Sequence, residues 1–471
     1  MQKTQITIIG GGFCGIMTAV HLLQDHRAAF DLHIVNKGNP LAKGVAYNPH
    51  TPGLLLNVPN GKISAFDDQP DHFADWLVND QPQLTGISNL GDMFATRQQY
   101  GRYLAGVWSG ALNNMPADVT VTTYDDEAYD IAKDGDRFRV FLRQHEAITT
   151  DLLVLATGNV VPQLPKGLKA LANSKRYFGN PWRKDSIENL DPKADVLIAG
   201  NGLTMVDTVI GMVEKGFNGK IYTVSPNGYQ LKPSTETKPA YRGADPKQLM
   251  KNSPSLLNIV KYLNKHRKKA WHADQSFFKV IDDLRPYNQQ IWRSLSIAEK
   301  KQFAKHFATM WNTARHRLPV SMFDLMQKLQ TEKRLVTLKG QITTVIETNN
   351  KALVTVNCSG ETKIIGVQRV INCTGPGSDL KLSPNELLRN ISTNGLICPD
   401  ALGMGINADP ENGMVINAGG ELIPNLFVVG TNLKGTLFES TAVPELRAQA
   451  EKLSRYLSEK CHFQRYHQQM I

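Results

Sequence analysis

Residues Met1–Met17 read MQKTQITIIGGGFCGIM, and the order of residue types in this stretch decides the fold. The run Ile6-Thr7-Ile8-Ile9 is β-branched and bounded by glycine, which is the pattern of a short buried strand. Gly10-x-Gly12-x-x-Gly15 follows at once, and Ile16-Met17-x-x-Val20-x-Leu22-Leu23 then carries helical spacing. Strand, glycine turn and helix in this order are the setting in which a GxGxxG run binds the pyrophosphate of a dinucleotide. The first glycine permits the tight turn, the second lets backbone approach the phosphates, and the third lets helix and strand pack closely. The helix N-terminus supplies free N–H groups and the positive end of its dipole. A glycine-rich turn with no ligand is the alternative, and the position between strand and helix weighs against it.

A second strand, Phe30 to Val35, ends at Asn36, where an acid commonly accepts both ribose hydroxyls. Asn36 can hydrogen-bond but is not a charged double acceptor, which disfavours an NAD-type dehydrogenase at this turn. Gly44-Val45-Ala46-Tyr47-Asn48-Pro49 and Leu54-Leu55-Leu56-Asn57-Val58-Pro59 form a turn-rich stretch, and Arg97 to Leu104 opens a helix. The arginines of that helix either pair with phosphates or face water. From Val119 to Asp151 short alternating runs, Val119-Thr120-Val121 and Arg137 to Leu142, read as a β-meander. The apolar run Leu152 to Leu155 then enters the small-residue turn Ala156-Thr157-Gly158.

The same series recurs. Val196-Leu197-Ile198-Ala199 runs into Gly200-Asn201-Gly202-Leu203-Thr204 and an apolar helix, and Ile221 to Val224 follows as the adjacent strand. Leu335 to Leu338, Ile342 to Ile346 and Ala352 to Val356 read as a second meander leading to Val370-Ile371-Asn372-Cys373-Thr374-Gly375. Two matching series imply two dinucleotide units. The second strand of the second unit ends at Ser225 rather than an acid, which favours NADPH over NADH. The segment Ser225-Pro226-Asn227-Gly228 has no arginine, however, and Lys232 and Arg242 are the nearest bases along the sequence.

An insertion over about 239–321 reads as mainly helical. Phe303-x-x-x-Phe307-x-x-x-Trp311 has the spacing of one helical packing face, and Arg315-His316-Arg317 follows it. These three bases either recognise an anion or end a helix favourably against its dipole. The basic run Lys261–Lys269 reads as a solvated helix face. Near the C-terminus Leu426 to Val429 enters a further turn at Gly430-Thr431, and Lys434 to Arg447 leads into a last helix. Its N-terminus suits an electron-rich ring edge, so the chain is expected to return to the first domain and close its site.

The chain of 471 residues allows two to four domains, and 41% hydrophobic with 20% charged residues is the balance of a soluble globular protein. The five cysteines, Cys14, Cys358, Cys373, Cys398 and Cys461, form no close pair, which argues against a disulfide framework, a zinc site and dithiol chemistry. Cys14 reads as a small packed residue. The net charge of +10 suits phosphate-bearing ligands or an anionic substrate. No nucleic-acid module, membrane span or leader pattern is visible, so the expectation is a cytoplasmic enzyme of small molecules with no metal, in an unspecified oligomeric state.

Taken together, GGGFCG at Gly10–Gly15, GVAYNP at Gly44–Pro49, LLNVP at Leu55–Pro59, RQQYGRYL at Arg97–Leu104 and ATG at Ala156–Gly158 resemble the FAD/NAD(P)-binding flavoproteins with two dinucleotide-binding domains. NPW at Asn180–Trp182, GNGLTMVD at Gly200–Asp207, LRPYNQQIW at Leu284–Trp292, NCTGP at Asn372–Pro376 and ESTAVPELRAQA at Glu439–Ala450 complete the resemblance. It is nearest to the branch that includes a flavin-dependent urate hydroxylase. Two departures stand out: Ser225–Gly228 lies where basic residues are common, and Ala314 lies where a further histidine is common.

The resemblance implies an α/β fold of two Rossmann-like domains, each with a β-meander, plus the helical insertion. The first domain would run 1–163 and return at 376–471, with the second over 164–375. FAD is expected on the first unit and NADPH, or NADH, on the second. Candidate cofactor-binding residues are Gly10, Gly12, Phe13, Cys14, Gly15, Asn36, Asn57, Arg97, Thr157, Gly158, Gly200, Gly202, Leu203, Thr204, Gly375, Gly430, Thr431, Phe438, Glu439 and Ser440. His316, Arg315 and Glu439 are the candidate catalytic groups. The expected function is an FAD-dependent, NAD(P)H-using oxidoreductase, foremost a monooxygenase of a small polar substrate. A flavin reductase or oxidase with another acceptor and a non-catalytic flavin-binding redox sensor are the alternatives.

Overall fold

The computed structural model describes residues 3–27, 29–235, 237–251, 254–377 and 379–470, with the backbone path alone along 463–470. Its contacts divide the chain into two units. The first comprises Met1–Pro49, Val58–Val160 and Ser378–Ile471, and the second His50–Asn57 and Val161–Gly377. The segment His50–Asn57 therefore packs with the second unit, whereas the sequence expectation runs 1–163 through the first without a break.

In the first unit β1 (Thr4–Ile9) lies between β2 (Phe30–Asn36) and β7 (Leu152–Leu155), parallel to both. Outside β2 stands β3 (Thr120–Asp125), and outside β7 stands β19 (Leu422–Val428), again parallel. The short antiparallel β18 (Met414–Ile416) forms the edge. Every residue of β7 is buried, because a parallel sheet covered on both faces needs continuous apolar strands rather than alternation. Helix Phe13–Gln24 buries Phe13, Ile16, Met17, Val20 and Leu23 at helical spacing and packs against the C-terminal helix Val443–Met470. Each such side chain contributes about 1.5–3 kcal/mol when removed from water.

A separate antiparallel sheet is formed by β4 (Ala128–Asp134), β5 (Arg137–Leu142) and β6 (Ile148–Thr150). Its Ile131, Phe138 and Val140 share a core with Leu153 and Leu155 and with Leu388 and Ile391 of helix Glu386–Thr393.

The second unit repeats this plan. Its five-stranded sheet runs β13 (Leu335–Lys339), β10 (Ile221–Ser225), β9 (Val196–Ala199), β17 (Arg369–Asn372) and β8 (Tyr177–Phe178), all parallel. An antiparallel meander of β14 (Gln341–Glu347), β15 (Ala352–Cys358) and β16 (Glu361–Val367) is appended. Thus β9, β10, β13 and β17 correspond to β1, β2, β3 and β7.

The correspondence corrects one expectation twice. Val119–Val121 and Leu335–Leu338 read as the first runs of the meanders, but β3 and β13 are outer parallel strands of the two main sheets. Both are only partly buried, so their residues alternate in the same way as those of a meander strand.

The insertion is helical, with helices Pro246–Met250, Leu256–His272, Phe278–Leu284, Asn288–Ser294, Ile297–His306 and Ala308–Arg315. Its ends are joined where β11 (Lys232–Pro233) pairs with β12 (Arg317–Leu318). Lys261, Lys265, Lys268 and Lys269 are exposed while Ile259, Tyr262, His266 and Ala270 are buried, which is the solvated face expected. The aromatic triplet does not lie on one helix: the chain breaks at Phe307, between the last two helices. Phe303 still meets Trp311 at 6.4 Å and Trp292 at 5.7 Å between ring centroids, so the packing cluster forms across the break. Among the described residues no helix is long and apolar enough to cross a membrane.

Candidate functional site

Each unit carries one glycine turn, and the two are built alike. In the first, Gly10 has φ +113° and donates its N–H to Val35 O at 2.8 Å, while Ala156 N–H donates to Ile9 O at 2.8 Å. A Cβ on Gly10 would stand 2.2 Å from Ala156 O, and one on Gly15 would stand 1.9 Å from Gly10 O. In the second, Gly200 has φ +110° and donates to Val224 O at 2.8 Å, while Cys373 N–H donates to Ala199 O at 2.8 Å. A Cβ on Gly200 would stand 2.3 Å from Cys373 O. Gly158 and Gly375 end the neighbouring strands at φ +70° and +100°. Among the glycines of the GxGxxG pattern the third is replaced, by Met205 in the place of Gly15, so the second helix starts without the close glycine contact.

The middle glycines behave differently from the first. At Gly12 the atom nearest to an added Cβ would be Gly44 Cα at 3.9 Å, and at Gly202 nothing lies within 4 Å. Both are N-caps, of helices Phe13–Gln24 and Leu203–Glu214, and neither helix has a capping side chain or an acid in its first turn. Backbone donors that no side chain satisfies, beside room at the middle glycine, fit a pyrophosphate. Two buried oxygens near the turns also have no hydrogen-bond partner among the described residues: Thr431 Oγ1 in the first unit and Asn201 Oδ1 in the second.

The surroundings of the first turn account for several sequence motifs. Asn36 Oδ1 accepts the Gly11 N–H at 3.0 Å and its Nδ2 donates to Asn39 O at 2.7 Å, so this amide braces the turn. The left-handed Gly44 (φ +51°) brings the following loop within contact of Gly12. That loop then crosses helix Arg97–Asn113, where Gly101 leaves room for Tyr47 O, 2.2 Å from where its Cβ would stand. The Tyr47 ring lies 4.7 Å from Tyr100 and 6.5 Å from Phe13. Burial pushes the Tyr47 phenol up to about 12, against the pull of the nearby Arg97 charge. Arg97 is the first residue of its helix, which begins with a capping box between Thr96 and Gln99. Arg102, by contrast, pairs with Asp80 at 2.6 Å.

The returning segment closes around the same turn. Gly430, at φ +94°, sits where a Cβ would be 2.8 Å from Cys14 Sγ. Its N–H donates to Gln449 Oε1 at 3.2 Å, its carbonyl accepts from Ser440 Oγ at 2.7 Å, and Gln449 Nε2 donates to Ser440 Oγ at 2.8 Å. Asn432 Nδ2 donates to Thr157 Oγ1 at 2.9 Å, joining this segment to the Ala156-Thr157-Gly158 turn. Burial pushes the Cys14 thiol up to about 12, which leaves it protonated and suited to packing.

Glu439 and Phe438 both have positive φ, +41° and +53°, an uncommon backbone for residues with side chains. Glu439 lies ahead of the last helix, which starts at Val443 and carries Glu445 as its first-turn acid.

Gln449, Asn432 and Asp400 are contributors that sequence reading did not single out. The Asp400 carboxylate accepts from Leu402 N–H at 2.8 Å and Met404 N–H at 3.1 Å and lies in the space a Gly435 Cβ would fill. Burial pushes its carboxyl upward against those hydrogen bonds. A glutamine in a helix or an acid in a loop carries no spacing signal, so only the ESTAVPELRAQA motif pointed toward this network.

The other candidates are dispersed. Thr204 and Leu203 open the second helix, with Thr204 O accepting from Thr208 Oγ1 at 2.8 Å. Asn57 ends the His50–Asn57 segment of the second unit and is not part of the first turn's unit. His316 and Arg315 lie in the second unit's insertion and Glu439 in the first unit. His316 caps helix Ala308–Arg315 with its N–H, 2.9 Å from Asn312 O, and its Nδ1 is 3.0 Å from the same oxygen. Arg317 pairs with Asp282 and lies over the Phe278 ring.

Comparison with known proteins agrees with this construction. Residues 7–160 match the family model described as FAD-NAD(P)-binding. The chain is 25% identical over 232 residues to a nitrosuccinic acid synthase of Aspergillus oryzae, across 46% of this chain and 35% of that protein. It is 26% identical over 253 residues to an L-aspartate N-monooxygenase (nitrosuccinate-forming) of Streptomyces davaonensis, across 44% of this chain and 38% of that protein. The chain thus spans little more than a third of the length of the curated relatives it matches. In fold it resembles the ornithine N-hydroxylase of Kutzneria sp. 744, in a form with reduced FAD, NADP+ and L-ornithine. That likeness has a TM-score of 0.64 and 15% identity and covers 98% of this chain and 100% of the other.

Proposed function

We propose that this chain is an FAD-dependent, NADPH-using monooxygenase that oxidises the amine nitrogen of a small polar substrate, an amino acid. The observation that carries the reading is the repeated turn: two units of one topology, each with a first glycine that has no room for a side chain and an uncapped helix N-terminus at a middle glycine that has open space. The relative described as an L-aspartate N-monooxygenase, together with the N-hydroxylase of like fold, supports the substrate class.

FAD, when bound, supplies the acceptor for a hydride from the nicotinamide and the centre at which oxygen is activated. The protein's part is binding and orientation. Gly12 and the N–H groups beginning at Phe13 would hold the flavin pyrophosphate, and Gly202 with the N–H groups beginning at Leu203 would hold that of NADPH. The Gly430–Gln449–Ser440 network and the Asn432–Thr157 bond fix the wall of the first site. Dithiol chemistry has no support in the sequence: the five cysteines form no close pair along the chain, and burial holds Cys14, Cys373 and Cys461 as thiols.

The overall reaction balances as amine plus O2 plus NADPH and a proton giving hydroxylamine, water and NADP+. The test is to supply NADPH and air with each proteinogenic amino acid in turn and to measure the oxygenated product by its mass alongside NADPH oxidation. One acidic or basic amino acid is expected to give a product carrying one added oxygen. Peroxide as the only product with every amine would replace this reading with that of an oxidase.

A further inference from the structure

We infer that Lys339 is the cation that recognises the 2′-phosphate of NADPH, with the Ser225 hydroxyl as its neighbour. The inference rests on reading the second unit as the nicotinamide-nucleotide site. Sequence alone leaves that site without a base, because Ser225-Pro226-Asn227-Gly228 holds none and Lys232 and Arg242 are displaced along the chain. The sheet supplies one from elsewhere. β10 and β13 run parallel with Ser225 directly opposite Lys339, and neighbouring strands lie about 4.8 Å apart.

The register fixes what these positions mean. Val224 O takes the Gly200 N–H, so Ser225 is the next residue beyond the glycine turn, at the strand end that meets the adenine ribose in a dinucleotide-binding unit. A lysine one strand over reaches a phosphate on that ribose with its four-carbon stem.

The first unit provides an internal comparison. There Val35 O takes the Gly10 N–H, Asn36 follows, and the residue directly opposite Asn36 is Asp125. Matched positions therefore hold Asp125 in the unit read as the FAD site, where the ribose bears hydroxyls, and Lys339 in the other. The charge reverses where a phosphate replaces a hydroxyl.

Local geometry holds the pair in place. Gly340 N–H donates to Ser225 O at 3.0 Å, and Gly228 N–H donates to Ser225 Oγ at 3.1 Å, which leaves the hydroxyl proton of Ser225 to give away. Gly228, at φ +64°, lies over the Lys339 stem, where a Cβ would be 2.8 Å from Lys339 Cβ. Asn201 Nδ2 donates to Tyr229 O at 3.4 Å, tying this turn to the glycine turn. Lys339 is exposed and forms no ion pair with a described residue.

The test is equilibrium binding of 2′,5′-ADP and 5′-AMP to the FAD-loaded protein by titration calorimetry, with no turnover involved. The wild type is expected to prefer 2′,5′-ADP by about tenfold or more. Lys339→Gln is expected to remove most of that preference while leaving 5′-AMP binding and the melting temperature unchanged, and Lys339→Arg to keep it. An undiminished preference in Lys339→Gln overturns the inference and leaves the nucleotide site standing, as does a wild type that binds both probes equally. A wild type that binds neither overturns the inference and the site together.

Discussion

Gly10 passes so close to Ala156 that a Cβ on the glycine would stand 2.2 Å from the Ala156 carbonyl oxygen. Main chain meets main chain here, so neither side can give way by changing a rotamer. The same relationship joins Gly200 to Cys373, and both glycines hold φ above +100°. The first glycine of each turn is thus a requirement of the fold, whereas the middle glycine has open space, and under the proposed function its requirement comes from the ligand.

Gly10→Ala and Gly12→Asp separate these two roles. Gly10→Ala adds the strain of a positive φ to a backbone collision and is expected to destabilise by more than about 2 kcal/mol, with loss of soluble protein or a lowered melting temperature. Gly12 has φ −78° and open space, so Gly12→Asp is expected to melt with the wild-type apoprotein. It should bind no flavin, because its carboxylate faces the pyrophosphate. Thermal melting and the flavin absorbance of the purified proteins read both effects.

Gln449→Ala removes the acceptor of the Gly430 N–H and the donor to Ser440. Buried groups that lose their partners cost about 1–3 kcal/mol. The variant is expected to release flavin at lower temperature than the wild type in a melt followed by flavin fluorescence, with the fold intact.

At Gly101, an alanine would place Cβ 2.2 Å from Tyr47 O. Forcing a methyl group into that contact displaces the Gly44–Pro49 loop at a cost of about 1–3 kcal/mol. A lowered melting temperature and faster proteolysis within that loop are the expected result.

Alkaline pH acts through the buried thiols. Cys14, Cys373 and Cys461 are each raised from 9.0 to about 12 by burial. Above pH 9 the unfolded chain loses these protons while the folded chain keeps them, so stability falls as pH rises from 9 toward 12. Melting temperatures are expected to decline over that window, and a thiol reagent at pH 8 should label these three cysteines only after unfolding.

The glycine turns and the strands around them were legible because their chemistry is local: glycine is required where φ is positive, β7 and β9 are continuous apolar runs, and β1 ends in the β-branched run Ile6–Ile9. The edge strands β3 and β13 were not, since a half-exposed parallel strand alternates in the same way as a meander strand. Phe303, Phe307 and Trp311 kept helical spacing across a break that the spacing does not reveal. The role of Asn36 as a brace for Gly11, and the placing of Lys339 opposite Ser225, depend on strand register between distant segments. Gln449 acts on Gly430 through tertiary contact alone.

The claim that two dinucleotides occupy two separate turns is tested most directly by Gly202→Asp, observed under anaerobic titration with NADPH. Gly202 has no neighbour within 4 Å of an added Cβ, so the fold and the first turn are left alone. The expected result is a yellow protein with full flavin content that dithionite bleaches and NADPH does not. A Gly202→Asp protein that NADPH bleaches at the wild-type rate would contradict it.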